Sequence, residues 1–114
     1  MTTASLRNLT PHDVVVLGPD GSVLLTLPSS GLARCAEELE TCGSLRVGVA
    51  DVPLARTAYG AVTGLPPRRD GVRYVVSRIV QDACPERDDL LTPVGQQITT
   101  TGVRACRALS PRWG

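Results

Sequence analysis

Apolar and polar positions along this chain alternate over short stretches that break at glycine or proline, a pattern of short strands rather than of long helices. Leu6-Arg7-Asn8-Leu9 alternates and predicts a strand. Thr10-Pro11-His12-Asp13 ends it, because Pro11 fixes φ and removes a donor. Two β-branched runs, 14–17 and 22–27, flank Gly18-Pro19-Asp20-Gly21 and predict a hairpin. Neither run alternates strictly, so both faces of that hairpin are expected to be covered. After a break at Pro28-Ser29-Ser30-Gly31, residues 32–37 fit either a strand or the start of a short helix.

A turn is predicted at Thr41-Cys42-Gly43. Beyond it lies a strand with Leu45, Val47 and Val49 on one face, and Asp51-Val52-Pro53-Leu54 then reads as a connection. Gly60, inside the run 55–62, predicts a bulge or a close backbone approach. Residues 64–71 read as a stiff loop and 72–76 as a strand. Ser77 is placed to cap a short helix over 78–84 with Val76, Ile79, Val80 and Ala83 as its apolar stripe, and Pro85 ends that helix. Glu86-Arg87-Asp88-Asp89 reads as a charged loop, 90–92 as a strand, and 97–99 with 103–109 as strands around a turn at Thr101-Gly102. Residues 1–5 are expected to form a loose tail. The expected fold is mainly β: one domain over 1–114, a small barrel or sandwich of about seven to nine short strands with one or two short helices.

Charge and composition narrow the function classes. With 12 basic and 11 acidic residues the net charge is +1, which speaks against nucleic acid as a partner. Every basic residue is Arg, so an anion site must use guanidinium forks, backbone N–H groups or His12. Phe is absent and the aromatics are Tyr59, Tyr74 and Trp113, too few for a single-strand stacking platform. No apolar run reaches the roughly 18 residues of a membrane span and no signal pattern opens the chain, so no membrane partner and a cytoplasmic location are expected. Cys35, Cys42, Cys84 and Cys106 match no zinc spacing; neither a metal nor a cofactor is expected, and the thiols read as reduced, buried small hydrophobes.

Several polar groups carry candidate chemistry, each beside a plainer role. His12 would serve as a general base or as a half-exposed turn histidine. Asn8, Thr10 and His12 share a face if the segment stays extended, forming a polar wall for a ligand; otherwise they satisfy their own turn. Ser29, Ser30, Gly31 and Arg34 would cradle a carboxylate or phosphate, or form a turn with an exposed Arg. Ser77, His12 and Asp89 include the residue types of a hydrolytic triad, although no nucleophile elbow surrounds Ser77 and an N-cap role explains it. Arg87 with Asp88 or Asp89 reads as a solvated pair.

Three segments, 8–14, 74–77 and 85–93, resemble a family of short uncharacterised proteins of phages, prophages and actinobacterial genomes. Its members open with N-L-T-P-H, and they carry P-x-S-G (here Pro28-Ser29-Ser30-Gly31) and G-x-V-x-G-L-P (here Gly60 to Pro66) segments. They close with a C-R-A-L piece, here Cys106-Arg107-Ala108-Leu109. The phage context implies a protein acting on host defence, such as a sponge that sequesters a nucleotide-derived signal. The leading expectation is a non-enzymatic protein that binds a small anionic or nucleotide-type ligand. Arg34, Arg87 and Arg107 would supply charge, Asn8, Thr10, His12, Ser30, Ser77 and Asp89 hydrogen bonds, and Tyr59 and Tyr74 stacking, with the pocket completed in a homo-oligomer. The alternatives are a small hydrolase or lyase using His12, Ser77 and Asp89, and a protein-interaction module that inhibits a host enzyme.

Overall fold

Val72 to Val76 is an apolar, β-branched run, and Ser77 after it stops the strand and starts a helix. The computed structural model, which describes residues 4–112, builds its centre on that junction. Strand β6 (Val72–Val75) leads through Ser77 into helix α1 (Arg78–Ala83), and the chain returns as β7 (Leu90–Val94), parallel to β6. The helix is the crossover that a parallel pair requires. In chain order the other strands are β1 (Ser5–Asn8), β2 (Val14–Leu17), β3 (Val23–Leu27), β4 (Arg34–Val47), β5 (Ala50–Thr63), β8 (Gln97–Ile98), β9 (Arg104–Ala105) and β10 (Ala108–Pro111). The central sheet has the order β1-β6-β7-β10, with β1 parallel to β6 and β10 antiparallel to β7. Three two-stranded sheets accompany it, β2-β3, β4-β5 and β8-β9.

Side chains of β6 alternate between two cores. Tyr74 and Val76 meet Val80 and Cys84 of α1, together with Leu9, Ala33 and Leu90. Val75, pointing the other way, meets Val14 and Val16 of β2 and Cys106. The result is a mainly β, sandwich-like fold with α1 on one side of the central sheet and the β2-β3 hairpin on the other. The carbonyl of Cys106 accepts from the Leu17 amide, and its amide donates to the Val15 carbonyl, at 2.9 Å in both directions. Those bonds fasten the hairpin to the C-terminal segment. Buried Gln81 donates from Nε2 to the carbonyls of Leu90 and Ser110 at 3.1 and 3.0 Å, fixing α1 on β7 and β10.

Several expectations need correction. The sheets do not close into a barrel, and there are ten strands among the described residues with one helix. Ser5 of the expected tail belongs to β1 and donates its amide to the Gly71 carbonyl at 2.7 Å; residues 1–3 and Trp113 lie outside the described residues. The hairpin is covered unevenly: β2 is buried and Leu27 at the end of β3 packs on the second core, but Val23 and Leu24 of β3 are exposed. Of residues 32–37, those from Arg34 onward are strand and none is helix. The expected turn at Thr41-Cys42-Gly43 is a bulge, where Cys42 is the extra residue between the Thr41–Ala55 and Gly43–Leu54 pairs.

The true turn lies five residues further on, at Gly48 (φ +61°) and Val49. A positive φ at the first central position alone is the pattern of a type II′ hairpin turn, and glycine supplies it. Asp51 to Leu54 is therefore strand, and Pro53 is accommodated because β5 pairs with β4 alone. Gly60 sits opposite Ala36 in a second register shift, as its placement in the run predicts. β4 and β5 thus form a long arm, exposed along nearly its whole length. Gly64 closes its base: φ is +80°, and a Cβ there would run into the carbonyl oxygen of Leu32.

Candidate functional site

Two grooves flank a ridge made by Thr10 and Ser77. The first, about 670 Å³, lies at the base of the arm. Its floor is apolar (Leu9, Leu32, Ala33, Ala61 and Ile79), and Thr10, Arg34, Glu37, Thr63 and Ser77 supply its polar rim. The second, about 280 Å³, lies between the start of β2, the start of α1 and β9. His12, Asp13, Arg78, Gln96 and Arg104 line it over a floor of Val14, Val76, Pro93, Ala105 and Cys106. Both volumes are near the range of small-ligand clefts.

The loop that carries His12 is built by Asn8. This amide is buried, with 1% of its surface exposed. Its Nδ2 donates to the carbonyls of His12 and Leu27 at 2.7 and 2.9 Å. Its Oδ1 accepts from the Thr10 amide at 2.9 Å and from the Thr10 hydroxyl at 2.6 Å. The Ser30 amide and hydroxyl both donate to the Asn8 carbonyl, at 2.8 and 3.2 Å. Asn8 and Thr10 thus satisfy their own turn, the plainer of the two expectations, and the three residues do not form one ligand-facing wall. Asn8 and Ser30 shape the loop from behind and do not line either groove.

Ser77 lines both grooves and caps α1, accepting from the Val80 amide at 3.3 Å. Arg34 reaches the first groove, apart from His12, which lines the second. Arg87 and Asp89 reach neither. They are not a solvated pair: Asp89 is wholly buried, and Arg87 grips it through Nε–Oδ1 and Nη2–Oδ2 bonds of 2.8 Å each. The guanidinium also lies 6.0 Å from the centre of the Tyr74 ring. That fork holds the Asp89 carboxyl below its ordinary range against the opposing effect of burial, and its partner's bond raises Arg87. The solvated pair is made by Arg68 and Asp88 instead, at 2.7 Å.

Tyr74 is a core residue whose hydroxyl donates to the Pro67 carbonyl at 3.3 Å, so it has no free face for a ligand. Tyr59 stands on the arm, and Arg107 packs over Gly95; neither lines a groove. The triad of His12, Ser77 and Asp89 is not assembled. The first two share the second groove, while the carboxylate is locked beneath β6 by Arg87.

Cys84 and Cys106 are buried as expected, and burial pushes both thiols up. Cys42 is exposed at the arm bulge, and Cys35 is half-buried in the first groove. No cluster of three or more metal-ligating side chains occurs among the described residues, and no helix there is long and apolar enough to cross a membrane. Arg78 is legible in the sequence as the neighbour of Ser77 at the helix start, but Gln96 and Arg104 are not: they lie in the loop after β7 and on β9, and nothing in their local context distinguishes them from a surface glutamine and arginine. No family model, curated protein or solved structure matches the chain.

Proposed function

We propose that the chain is a binding protein for a small anionic ligand, held in the second groove. The observation that carries this reading is the convergence of His12, Arg78, Arg104 and Gln96 over an apolar floor, with Asp13 as the one opposing carboxylate among the described lining residues. Two guanidiniums supply up to ten N–H donors in fork geometry, suited to the planar or tetrahedral oxygens of a carboxylate or phosphate. Arg78 donates its Nε to Asp82 Oδ2 at 3.3 Å, and its terminal nitrogens make no bond among the described residues. Arg104 has no side-chain bond among the described residues. The resemblance to short phage proteins narrows the ligand to a nucleotide-derived host signal. With neither Tyr59 nor Tyr74 at the groove, such a ligand would be held by its phosphate and not by stacked rings.

A thermal-shift series with inorganic phosphate, cyclic nucleotides and ADP-ribose derivatives tests this. A ligand at a hundred times its Kd stabilises the native state by about 2.7 kcal/mol, a readily visible shift. At least one compound should stabilise the wild type and lose that effect in Arg104→Ala. Stabilisation by none of them, or stabilisation that survives in Arg104→Ala and His12→Ala alike, contradicts the reading. The hydrolase reading keeps His12 and Ser77 in one groove but lacks the expected carboxylate; it predicts turnover that vanishes in His12→Ala with the fold intact.

A further inference from the structure

Thr10 and Ser77 line both grooves, so the ridge between them is made of two short hydroxyl side chains. The Thr10 hydroxyl is turned into its own loop, 2.6 Å from Asn8 Oδ1 and 3.0 Å from the His12 carbonyl. The Ser77 hydroxyl accepts from the Val80 amide, and its own hydrogen is given to no group among the described residues. The ridge therefore offers one spare donor between an apolar cleft and a cationic one.

Charge divides the grooves. Arg78, Arg104 and His12 line the second with one carboxylate, Asp13. In the first, Arg34 and Glu37 offset each other over an aliphatic floor. An anion is drawn to the second groove, and the first favours an uncharged group. That floor makes no polar demand, since no buried side-chain nitrogen or oxygen among the described residues lacks a hydrogen-bond partner. Leu9 and Ala33 are already buried, whereas Leu32 is 38% exposed, Ala61 is exposed and Ile79 is half-buried. These last three present apolar surface that a ligand can still remove from water. At about 670 Å³ the first groove has the size of a small-molecule cleft. The second, at about 280 Å³, falls just short of that size and suits a head group.

We infer, on the reading that the second groove takes the anion, that the ligand is a phosphate ester with an uncharged, apolar-faced body. The phosphate lies in the second groove, and the body crosses the Thr10–Ser77 ridge onto the floor of the first. Two guanidiniums from separate elements suit the tetrahedral head, and the spare Ser77 hydrogen suits an ester oxygen at the crossing. The cations set the position of the ligand and the apolar floor adds affinity. Each methylene fully removed from water tightens binding about fourfold. A free inorganic anion uses only the smaller half of such a site.

Calorimetric titration of inorganic phosphate and of hexyl phosphate into the wild type, Leu32→Ser, Ala61→Gln and Arg104→Ala tests it. Leu45→Ser, at an exposed leucine of the distal arm, controls for indiscriminate apolar contact. Leu32 and Ala61 are both exposed, so their variants should keep the wild-type circular dichroism spectrum. Hexyl phosphate should bind the wild type and Leu45→Ser at least tenfold more tightly than inorganic phosphate does. Leu32→Ser and Ala61→Gln should lose most of that gain and keep the affinity for inorganic phosphate, whereas Arg104→Ala should weaken both ligands. Three results overturn the two-groove ligand and leave the anion site standing: phosphate binding with no gain for hexyl phosphate, a gain that survives in Leu32→Ser and Ala61→Gln alike, or a gain lost equally in Leu45→Ser. No binding of either compound, or unchanged binding of both in Arg104→Ala, overturns the anion site and the two-groove ligand together.

Discussion

Asn8 and Asp89 show how two buried polar side chains are satisfied by opposite means. Asn8 uses neutral donors and acceptors of nearby backbone, whereas Asp89 takes a full ionic partner two residues away. Removing Asn8 by Asn8→Ala leaves the His12 and Leu27 carbonyls short of a donor inside the fold. A loss of about 2–3 kcal/mol is expected in urea denaturation, with the His12 loop disordered. Asp89→Asn strands the Arg87 guanidinium against the core and should cost about 3–5 kcal/mol. Because the native Asp89 carboxyl lies below its unfolded value, its contribution is present above about pH 4. It is lost as pH falls through the native value, so wild type and Asp89→Asn should converge in stability in acid; stability curves that stay parallel down to low pH would refute the assignment. The chain as a string of letters made Asp89 look solvated, because Glu86, Arg87, Asp88 and Asp89 are locally indistinguishable. Only the return of the chain as a parallel strand next to β6 decides which carboxylate is buried.

At the level of elements, the readable features were those with local causes. The β2-β3 hairpin follows from its Pro-Asp-Gly turn, and the α1 start from Ser77 ahead of the Val76–Ile79–Val80 stripe. Ser77→Ala should remove about 1 kcal/mol of stability, read from chemical denaturation, since it loses a single, part-buried cap bond. The arm was misread for a physical reason. Gly43 and Pro53 carry the usual marks of a turn and a connection, yet cross-strand pairing absorbs the first as a bulge and the second at an open strand side. The parallel β1-β6-β7 arrangement left no local mark, because parallel pairing depends on contacts distant in sequence. Gly64→Ala tests the arm's anchorage: with positive φ and the Leu32 carbonyl in the way, the variant should lose more than about 2 kcal/mol by thermal or urea unfolding.

The molecule as a whole divides its labour between a body that packs two small cores and an arm that projects from it, over principal extents of 61, 37 and 24 Å. The body gathers three of the stretches flagged by sequence, at Thr10 to His12, Arg34 and Ser77, around two neighbouring grooves. It diverts the fourth, Arg87 to Asp89, into structural support. Polar type and spacing sufficed to nominate the groove's wall at Thr10, His12 and Ser77. They did not suffice for Arg104, which reaches the groove beside Arg78 only because β9 packs against β2. The functional account therefore stands on that one constellation. Its most direct test is a titration followed by amide and side-chain NMR, adding inorganic phosphate and then a cyclic nucleotide to the wild-type protein. The account predicts saturable shifts clustered at Thr10, His12, Ser77, Arg78, Gln96 and Arg104; shifts that never saturate, or that gather elsewhere on the body or on the arm, contradict it.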